Sequence, residues 1–248
     1  MSERLLAMTG DIPVLNIEGL SAGYGPMRVI HDLDLIVSAG EKVGLVGLNG
    51  HGKSTLFLAI AGLTHWQRGS IRLNDRQIGR NRSQGPGRYT HQIVHQGLSL
   101  IPQGDEIFQG LTVKDHLDSG AYTTSAWRKR AHRRKEILGI FPALEQLMDT
   151  PVGRLSGGER RMVAIGRGLM AEASLYLVDE PTLGLAPKLG KGVLEALFDV
   201  RLGESAMVIA EQNVALLDGR VDRIIGMHVG KLKGEAAASL AYQTKREI

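Results

Sequence analysis

The chain has 248 residues, which is enough for one large domain or two small ones around a buried core. Its hydrophobic content of 43% and charged content of 23% are ordinary for a globular protein. The 30 basic and 26 acidic side chains leave a net charge of +4, a near balance that gives no indication of a nucleic-acid partner. The absence of cysteine excludes disulfides and thiolate metal sites, and it fits a reducing cytoplasm. The longest apolar run, residues 56–63, is too short to span a bilayer.

The N-terminal part of the chain is predicted to be a flexible leader followed by strands. Residues 1–11 mix charges with a short apolar stretch and lack the apolar core of a signal peptide, so we expect a flexible leader there. From residue 14 to residue 78, apolar and polar residues alternate in several stretches, such as 15–18 and 33–37. This alternation predicts antiparallel strands with one solvated face.

A continuous apolar stretch at residues 43–46 leads directly into a glycine-rich turn and then a predicted helix. Residues 47–54 match G-x-x-x-x-G-K-[ST], in which backbone N–H groups surround phosphates, Lys53 reaches the β- and γ-oxygens and Ser54 offers a hydroxyl to Mg²⁺. His51 occupies a variable position of this motif, so we expect its side chain to point away from the phosphates. The predicted nucleotide-binding residues are Gly47, Leu48, Asn49, Gly50, His51, Gly52, Lys53, Ser54 and Thr55.

The second half of the sequence changes its pattern twice. Residues 104–153 are more polar and helical in period, with Thr112 as a predicted N-cap and residues 127–138 as a second helix. Beyond Ser156 the α/β pattern returns, so a helical segment interrupts an α/β core. The elements predicted there are helices at 162–169 and 193–197 and strands at 175–178, 207–210 and 223–229.

Asp179 and Glu180 end the apolar strand predicted at residues 175–178. Buried carboxylates at that place are costly without a partner. One interpretation is an acid pair that caps the next helix. We favour the alternative, because a phosphate-binding loop is present: Asp179 then coordinates Mg²⁺, and Glu180 is the general base that polarises the attacking water.

A third motif determines which family the chain resembles. Residues 155–159 read Leu-Ser-Gly-Gly-Glu and lie 20 residues ahead of 175–180. In this order and spacing the three motifs resemble those of ATP-binding-cassette (ABC) ATPases, and the resemblance extends over residues 14–233. It implies an α/β P-loop NTPase core with an N-terminal antiparallel β subdomain and an inserted α-helical subdomain at about 104–153. It also implies one nucleotide-binding domain, residues 12–248, with ATP and Mg²⁺ as ligands.

The resemblance implies roles for residues that the patterns alone leave open. Tyr24, between two glycines, would stack on adenine rather than simply pack in a turn, an interaction worth roughly 1–3 kcal/mol. Gln103 would touch the metal and the attacking water and act as a hinge for the helical insert. The signature at 155–159 precedes a helix whose N-terminus suits an anion, and it would close on the γ-phosphate held by a second cassette paired head to tail. The signature residues are Ser156, Gly157, Gly158 and Glu159.

Two positions depart from the wider family. Gln212 takes the place of the usual switch histidine in a catalytic role; glutamine can hydrogen-bond the γ-phosphate or water but carries no charge. We therefore expect slower hydrolysis at this site, or asymmetry between paired sites. Ala186 stands where many cassettes have aspartate. With residues 107–108 and 111–113, these departures resemble the second ATPase subunit of bacterial branched-chain amino-acid uptake systems and its relatives for urea and amides.

The implied function is ATP hydrolysis that powers uptake of a small solute, with branched-chain or other hydrophobic amino acids as the suggested cargo. The implied partners are membrane-spanning permease subunits, a second and different ABC ATPase subunit and, indirectly, an extracytoplasmic solute-binding protein, with no nucleic acid. The chain would be peripheral on the cytoplasmic face of the inner membrane. One alternative is a soluble ABC ATPase of translation or DNA maintenance, although the second cassette, coiled coils and cysteine zinc modules of those proteins are missing from this sequence. The other is a P-loop small-molecule kinase, which leaves residues 155–159 unexplained.

Two further features of the sequence, a basic stretch and a pair of histidines, each allow more than one interpretation. Residues 127–135 are strongly basic, which fits a solvated helix face and also a contact with lipid headgroups or a permease loop. His91 and His95 have the spacing of metal ligands on a helix. No third ligand is evident near them, so we expect no metal site there.

Overall fold

The computed structural model describes residues 12–79, 87 and 89–236, and its strands form two sheets. The leader expected at residues 1–11 lies outside the described residues. The strands are β1 (Leu15–Tyr24), β2 (Met27–Val37), β3 (Lys42–Val46), β4 (Trp66–Leu73), β5 (Arg76–Gly79), β6 (Leu98–Ile101), β7 (Leu175–Asp179), β8 (Ala206–Glu211), β9 (Arg223–His228) and β10 (Lys231–Ala236). The helices are α1 (Lys53–Ile60), α2 (Thr90–His95), α3 (Val113–Ser119), α4 (Thr124–Ile140), α5 (Gly157–Leu169) and α6 (Pro187–Phe198), with 3₁₀ turns at Pro142–Leu147, Val152–Arg154 and Val214–Leu216.

The smaller sheet has the strand order β2-β1-β4-β5 and is antiparallel throughout. In β1 the alternation of the sequence buries Leu15 and Ile17 and leaves Glu18 exposed. β1 pairs on both sides, with Leu15 opposite Val37 of β2 and opposite Leu73 of β4. The antiparallel strands predicted for this part of the chain are therefore present.

The larger sheet has the order β10-β9-β3-β8-β7-β6, and of its pairs only β9-β10 is antiparallel. Every residue of β7 and β8 is buried, as expected for parallel strands that are covered on both faces. Leu175 and Leu177 of β7 belong to a core shared with β1 and α1, whereas Tyr176 and Val178 belong to a core shared with α3, α5 and α6. The two sheets and their helices confirm the predicted α/β fold class.

The chain between β6 and α5 is helical, and the boundaries of its helices follow their caps. α3 begins after Thr112, whose hydroxyl accepts a hydrogen bond from the Asp115 N–H, as the sequence predicts. α4 begins at Thr124, ahead of the start predicted at residue 127, because Thr123 caps it by accepting from the Ala126 N–H. The limits of the insert at 104 and 153 stay a prediction. In the part of the chain that the structure describes, no helix is both long and apolar enough to cross a membrane.

Candidate active site

Loops that follow four strands of the larger sheet meet at one edge of it. In the parallel register, Val46 of β3 lies opposite Glu211 of β8, and Asp179 of β7 lies opposite Ala210 of β8. β6 pairs with β7 on the outer side. Because the carboxyl ends of parallel strands share an edge, the fold brings the glycine-rich loop, the acid pair, the segment after β6 and Gln212 together.

The glycine-rich loop after β3 has the conformation that its sequence predicts. Gly50 and Gly52 have φ angles of 79° and 103°, in the left-handed region that favours glycine. α1 begins at Lys53, directly after Gly52, and the loop is anchored by the Gly47 N–H, which donates to the Glu211 carbonyl at 3.3 Å. A turned backbone that leads into a helix N-terminus is suited to binding phosphate.

The His51 side chain lies against the end of β9. Its ring centroid is 4.6 Å from that of His228 in an edge-to-face arrangement, and its Nδ1 lies 3.1 Å from the Met227 carbonyl oxygen. Leu48 and Asn49, by contrast, are exposed at the tip of the loop. The tip of the loop is therefore exposed, while the His51 side chain is occupied by contacts within the protein.

The Lys53 ammonium is buried and uses all three of its N–H groups within the site. It donates to the Gly47 carbonyl at 2.7 Å and to the Leu48 carbonyl at 3.3 Å. Its third partner is Oε1 of Glu180, at 3.0 Å, and both side chains of this ion pair are about 3–4% exposed. The glycine-rich loop and the acid pair are thus joined by one buried cation.

The Glu180 carboxylate is held from two sides. Gln212 Nε2 donates to Oε2 at 2.9 Å, while Oε1 pairs with Lys53. The Glu180 backbone has φ 42°, in the left-handed region that a non-glycine residue rarely adopts, and its N–H donates to the Ala210 carbonyl at 3.0 Å. Such strained residues cluster at functional sites. Gln212, predicted to contact the γ-phosphate or water, makes its hydrogen bond to Glu180 in this structure.

Asp179 has the properties of a ligand for a divalent cation. Burial raises the pKa of its carboxyl, an effect that the Ser54 hydroxyl opposes by hydrogen bonding and that Lys53 opposes by its charge. Among the described residues, Oδ1 of Asp179 has no hydrogen-bond partner although it is buried. A carboxylate oxygen without a partner beside a hydroxyl is a donor set that suits Mg²⁺. Thr55 is half-buried one residue further along α1.

The signature residues begin α5 and cap it. Ser156 is the N-cap, and its hydroxyl accepts from the Glu159 N–H at 3.4 Å. The Glu159 carboxylate in turn accepts from the Ser156 N–H and hydroxyl, each at 2.8 Å, which completes a capping box. Ser156 and Gly157 are exposed, whereas Gly158 is buried against Leu189 of α6. The helix N-terminus is therefore capped and exposed.

Two predicted residues stand apart from this cluster of hydrogen bonds. Tyr24 is half-buried at the end of β1, where its ring centroid lies 5.5 Å from that of His65 in an edge-to-face arrangement. Gln103 is exposed, and its side chain makes no hydrogen bond to the described part of the chain. The protein contacts alone therefore assign neither residue a partner at the site.

Two buried charged residues at this edge were missed by the sequence reasoning. Glu211 accepts hydrogen bonds from the N–H and hydroxyl of Thr182, at 3.2 and 2.8 Å, and burial raises the pKa of its carboxyl. Its only signal is an acid at the end of an apolar stretch, the same signal that identifies Asp179. Arg161 in α5 is fully buried and donates hydrogen bonds to the segment after β6, to the last residue of β7 and to the segment after β7. Nothing in its local sequence distinguishes it from the neighbouring Arg160.

The basic stretch at residues 127–135 and the pair His91 and His95 lie on helices outside the candidate site. Part of the basic stretch attaches α4 to its neighbours: Lys129 pairs with Glu172 at 2.8 Å, and Arg134 pairs with Asp118. His91 and His95 lie on α2. Within residues 12–79, 87 and 89–236, no group of three or more potential ligands is placed to hold a metal ion.

Sequence comparison identifies the relatives of this chain. The family model described as ABC transporter matches residues 30–183. The high-affinity branched-chain amino acid transport ATP-binding protein BraG of Pseudomonas aeruginosa is 32% identical over 88% of this chain and 91% of its own length. The probable branched-chain amino acid transport ATP-binding protein LivF of Archaeoglobus fulgidus is 34% identical over 79% and 80%. The lipopolysaccharide export system ATP-binding protein LptB of Escherichia coli is 35% identical over 81% and 80%.

Solved structures share the fold at lower identity. CbiO1 of Clostridium perfringens, part of the ABC transporter complex CbiONQ, superposes with a TM-score of 0.77 at 23% identity, covering 95% of this chain and 92% of its own. An ATP-binding cassette solved as a dimer in a post-hydrolysis state with ADP and Pi gives a TM-score of 0.74 at 20% identity, covering 90% and 97%. The chain therefore belongs to the ABC transporter family, as one of its ATP-hydrolysing, ATP-binding subunits.

Proposed function

We propose that this chain binds and hydrolyses ATP at the edge where Lys53, Asp179 and Glu180 meet. The observation that carries the proposal is the Glu180 carboxylate, buried and fixed between the Lys53 ammonium at 3.0 Å and the Gln212 amide at 2.9 Å. A carboxylate in such a position, one strand away from a phosphate-binding loop, can act as a general base on a water that attacks a phosphate.

The glycine-rich loop, residues 47–55, would hold the phosphates with its backbone N–H groups. Ser54 and Asp179 would hold Mg²⁺, with Gln103 reaching it from the loop after β6. The ion would supply positive charge to the phosphate oxygens as the terminal bond breaks. The exposed Gln103 side chain has the freedom for this contact, and Tyr24 would stack on the adenine ring.

Phosphate binding would change the contacts of Lys53. A γ-phosphate carries more negative charge than Glu180, so it competes for the Lys53 ammonium and releases Oε1 of that carboxylate. Oε1 then accepts the proton of the attacking water while Oε2 stays bound to Gln212. Lys53 meanwhile stabilises the charge on the transferring phosphate. In this scheme Gln212 orients the base, and the uncharged amide does not compete for the proton.

The signature would act on a second cassette. Its exposed Ser156 and Gly157 lie at the N-terminus of α5, which is 13 residues long and carries partial positive charge. In a head-to-tail pair, residues 156–159 would close on the γ-phosphate that the partner's glycine-rich loop holds. We expect the partner to be a different ABC ATPase subunit, so that the paired sites are unequal.

We further propose that hydrolysis drives uptake of a small solute, with branched-chain or other hydrophobic amino acids as the cargo. The names of BraG and LivF, which specify branched-chain amino acid transport, support this cargo. The Gln212 and Ala186 positions, which resemble the uptake subgroup, support both the cargo and the direction. The chain would bind permease subunits on the cytoplasmic face of the inner membrane, and an extracytoplasmic binding protein would deliver the solute. LptB has a comparable identity to this chain and is named for lipopolysaccharide export. The direction of transport is therefore the point to test.

The site and the cargo are tested separately. The site is tested by Asp179→Asn, which should lose Mg²⁺-dependent ATP hydrolysis, while Asp149→Asn, an exposed matched control, should not. A parent rate for Asp179→Asn would contradict the assignment. The cargo is tested by isolating the tagged chain with its permease partners from native membranes. After reconstitution in vesicles, ATP should drive uptake of radiolabelled leucine, and outward transport or none would contradict the import proposal.

A further inference from the structure

Arg161 is the largest fully buried side chain in the described part of the chain, at 1% exposure, and none of the roles proposed above uses it. It lies in α5, five residues after Ser156. Buried arginines usually pair with carboxylates. Each of the five N–H groups of Arg161 donates instead to a backbone carbonyl, so its contacts fix the directions of peptide groups.

Two of these carbonyls flank Gln103. Arg161 Nη1 donates to the Pro102 carbonyl at 2.9 Å and also to the Gly104 carbonyl. The side chain of Gln103 has no hydrogen-bond partner within the described residues. Arg161 therefore fixes the backbone that carries Gln103 and leaves the side chain free.

The other three carbonyls belong to the acid pair and the residue after it. Nη2 donates to the Asp179 and Glu180 carbonyls at 3.1 and 3.2 Å, and Nε donates to the Pro181 carbonyl at 3.1 Å. These peptides surround the left-handed φ of Glu180. A strained backbone of this kind persists only where its surroundings over-determine it, and the planar fork of Arg161 contributes that constraint.

Packing alone does not explain why an arginine is buried at position 161. Removing a guanidinium from water is costly, and a well-packed apolar side chain is often as stabilising as a buried charge. No other side chain offers five donors in one plane. The arrangement suits a site in which two loops must keep a fixed relation to each other.

We propose that Arg161 is a positioning residue that couples the signature helix to the loops of Gln103 and Glu180. The inference rests on the roles proposed for those two residues. Arg161 lies about 7.5 Å along the helix axis from Ser156, at 1.5 Å per residue. When α5 closes on the partner's nucleotide, its movement is transmitted through Arg161 to the backbone of the base and of the glutamine in its own chain.

The test is a double-mutant cycle of Arg161→Lys with Glu180→Gln. Lysine keeps the charge but has three donors in place of five and no planar fork, so it cannot make all five of these hydrogen bonds. We expect Arg161→Lys to lower kcat by about 10- to 100-fold, the size of effect that a misplacement near 1 Å produces. The dissociation constant for ATP should stay near that of the parent. In the Glu180→Gln background the same substitution should lower the residual rate by less than about threefold, because the base that it positions is already missing.

A matched control separates positioning from stability. Arg133 in α4 also donates to backbone carbonyls, those of Leu169 and Ala171, away from the site. Arg133→Lys should leave kcat per folded molecule unchanged. If Arg161→Lys does not fold, Arg161→Gln provides the same cycle, and if neither folds the residue is structural and the proposal fails.

The outcomes distinguish this inference from the proposed function. An equal fall in both backgrounds, or a parent kcat for Arg161→Lys, overturns the positioning role and leaves Glu180 as the base. A parent rate for Glu180→Gln itself overturns the proposed base, and the premise of this inference with it. Loss of ATP affinity together with kcat in Arg161→Lys also contradicts it, because a positioning residue acts on the rate.

Discussion

Replacement of Gln212 by alanine tests the contact that sets the position of the proposed base. Gln212 Nε2 donates to Glu180 Oε2 at 2.9 Å, and Oε1 is paired with Lys53. Gln212→Ala removes the donor to Oε2 and leaves the loop, Lys53 and Asp179 in place. The Glu180 side chain then has one partner and more freedom to rotate.

The magnitude follows from the charge on the acceptor. A hydrogen bond to a charged group contributes about 1.5–3 kcal/mol. Each 1.36 kcal/mol in the barrier changes the rate tenfold. If the whole energy of this hydrogen bond is lost in the transition state, kcat should fall by about 10- to 150-fold. ATP affinity should be unchanged, because Gln212 bonds to Glu180 and to none of the predicted phosphate-binding residues.

Two further substitutions at this position give opposite expectations. Gln212→His places a ring N–H against the same carboxylate and can also bond to the γ-phosphate, so we expect activity equal to or above that of the parent. Gln212→Glu has nearly the same size but sets a second carboxylate against Glu180. We expect it to be at least as slow as Gln212→Ala, because a like charge disfavours the ionised base.

The assay is phosphate release at saturating Mg–ATP, with ATP affinity measured by titration of a fluorescent analogue and rates normalised to the folded fraction. Each variant is measured alone and with the partner ATPase subunit, since a partner site with a histidine could hide the effect. Equal turnover of the Gln212, His and Ala forms in both settings would refute the reasoning. It would also remove the main reason for expecting unequal sites.

Three other predictions follow from the described contacts. Lys53→Ala should abolish ATP hydrolysis, because Lys53 is the cation that the motif places on the transferring phosphate; a parent rate in the purified variant would contradict the phosphate-loop assignment. Glu180→Gln should lower hydrolysis by about 10²- to 10⁴-fold, the usual contribution of a positioned base. It should still bind ATP and accumulate as a dimer in light scattering, and a matching loss of affinity would indicate a metal-binding or capping role instead. Buried His116 accepts a hydrogen bond from the Phe108 N–H, and burial lowers its pKa to about 4 while the unfolded chain keeps the usual value near 6.5. The folded protein therefore takes up its proton later than the unfolded chain as pH falls, and about 2 kcal/mol of stability should be lost between pH 7 and pH 5. His116→Gln keeps an acceptor for Phe108 without titrating, so its denaturation midpoint should depend less on pH over this range, and identical pH dependence in the two proteins would contradict the assignment.

Short-range sequence signals determined much of this protein. The order of apolar stretch, glycine-rich turn and helix at residues 43–60 predicts the phosphate-binding loop, because left-handed turns need glycine and the helix N-terminus follows from the same stretch. Asp179 and Glu180 are identifiable because charges at the end of a fully apolar strand need a reason to be there. Thr112 shows its role as a helix cap in the sequence. In each case the signal lies in residues that are neighbours along the chain.

The contacts that organise the site were decided by the tertiary structure. Gln212 and Glu180 are 32 residues apart, and Arg161 bonds to carbonyls from 18 to 59 residues away. These residues meet because β8, β7 and β6 lie side by side in the sheet. The order of the strands is not encoded in any local sequence pattern. Arg161 looks like any surface arginine until the fold buries it between two loops. The role proposed for Arg161 and the direction of the Gln212 amide both depend on which chain segments pack together.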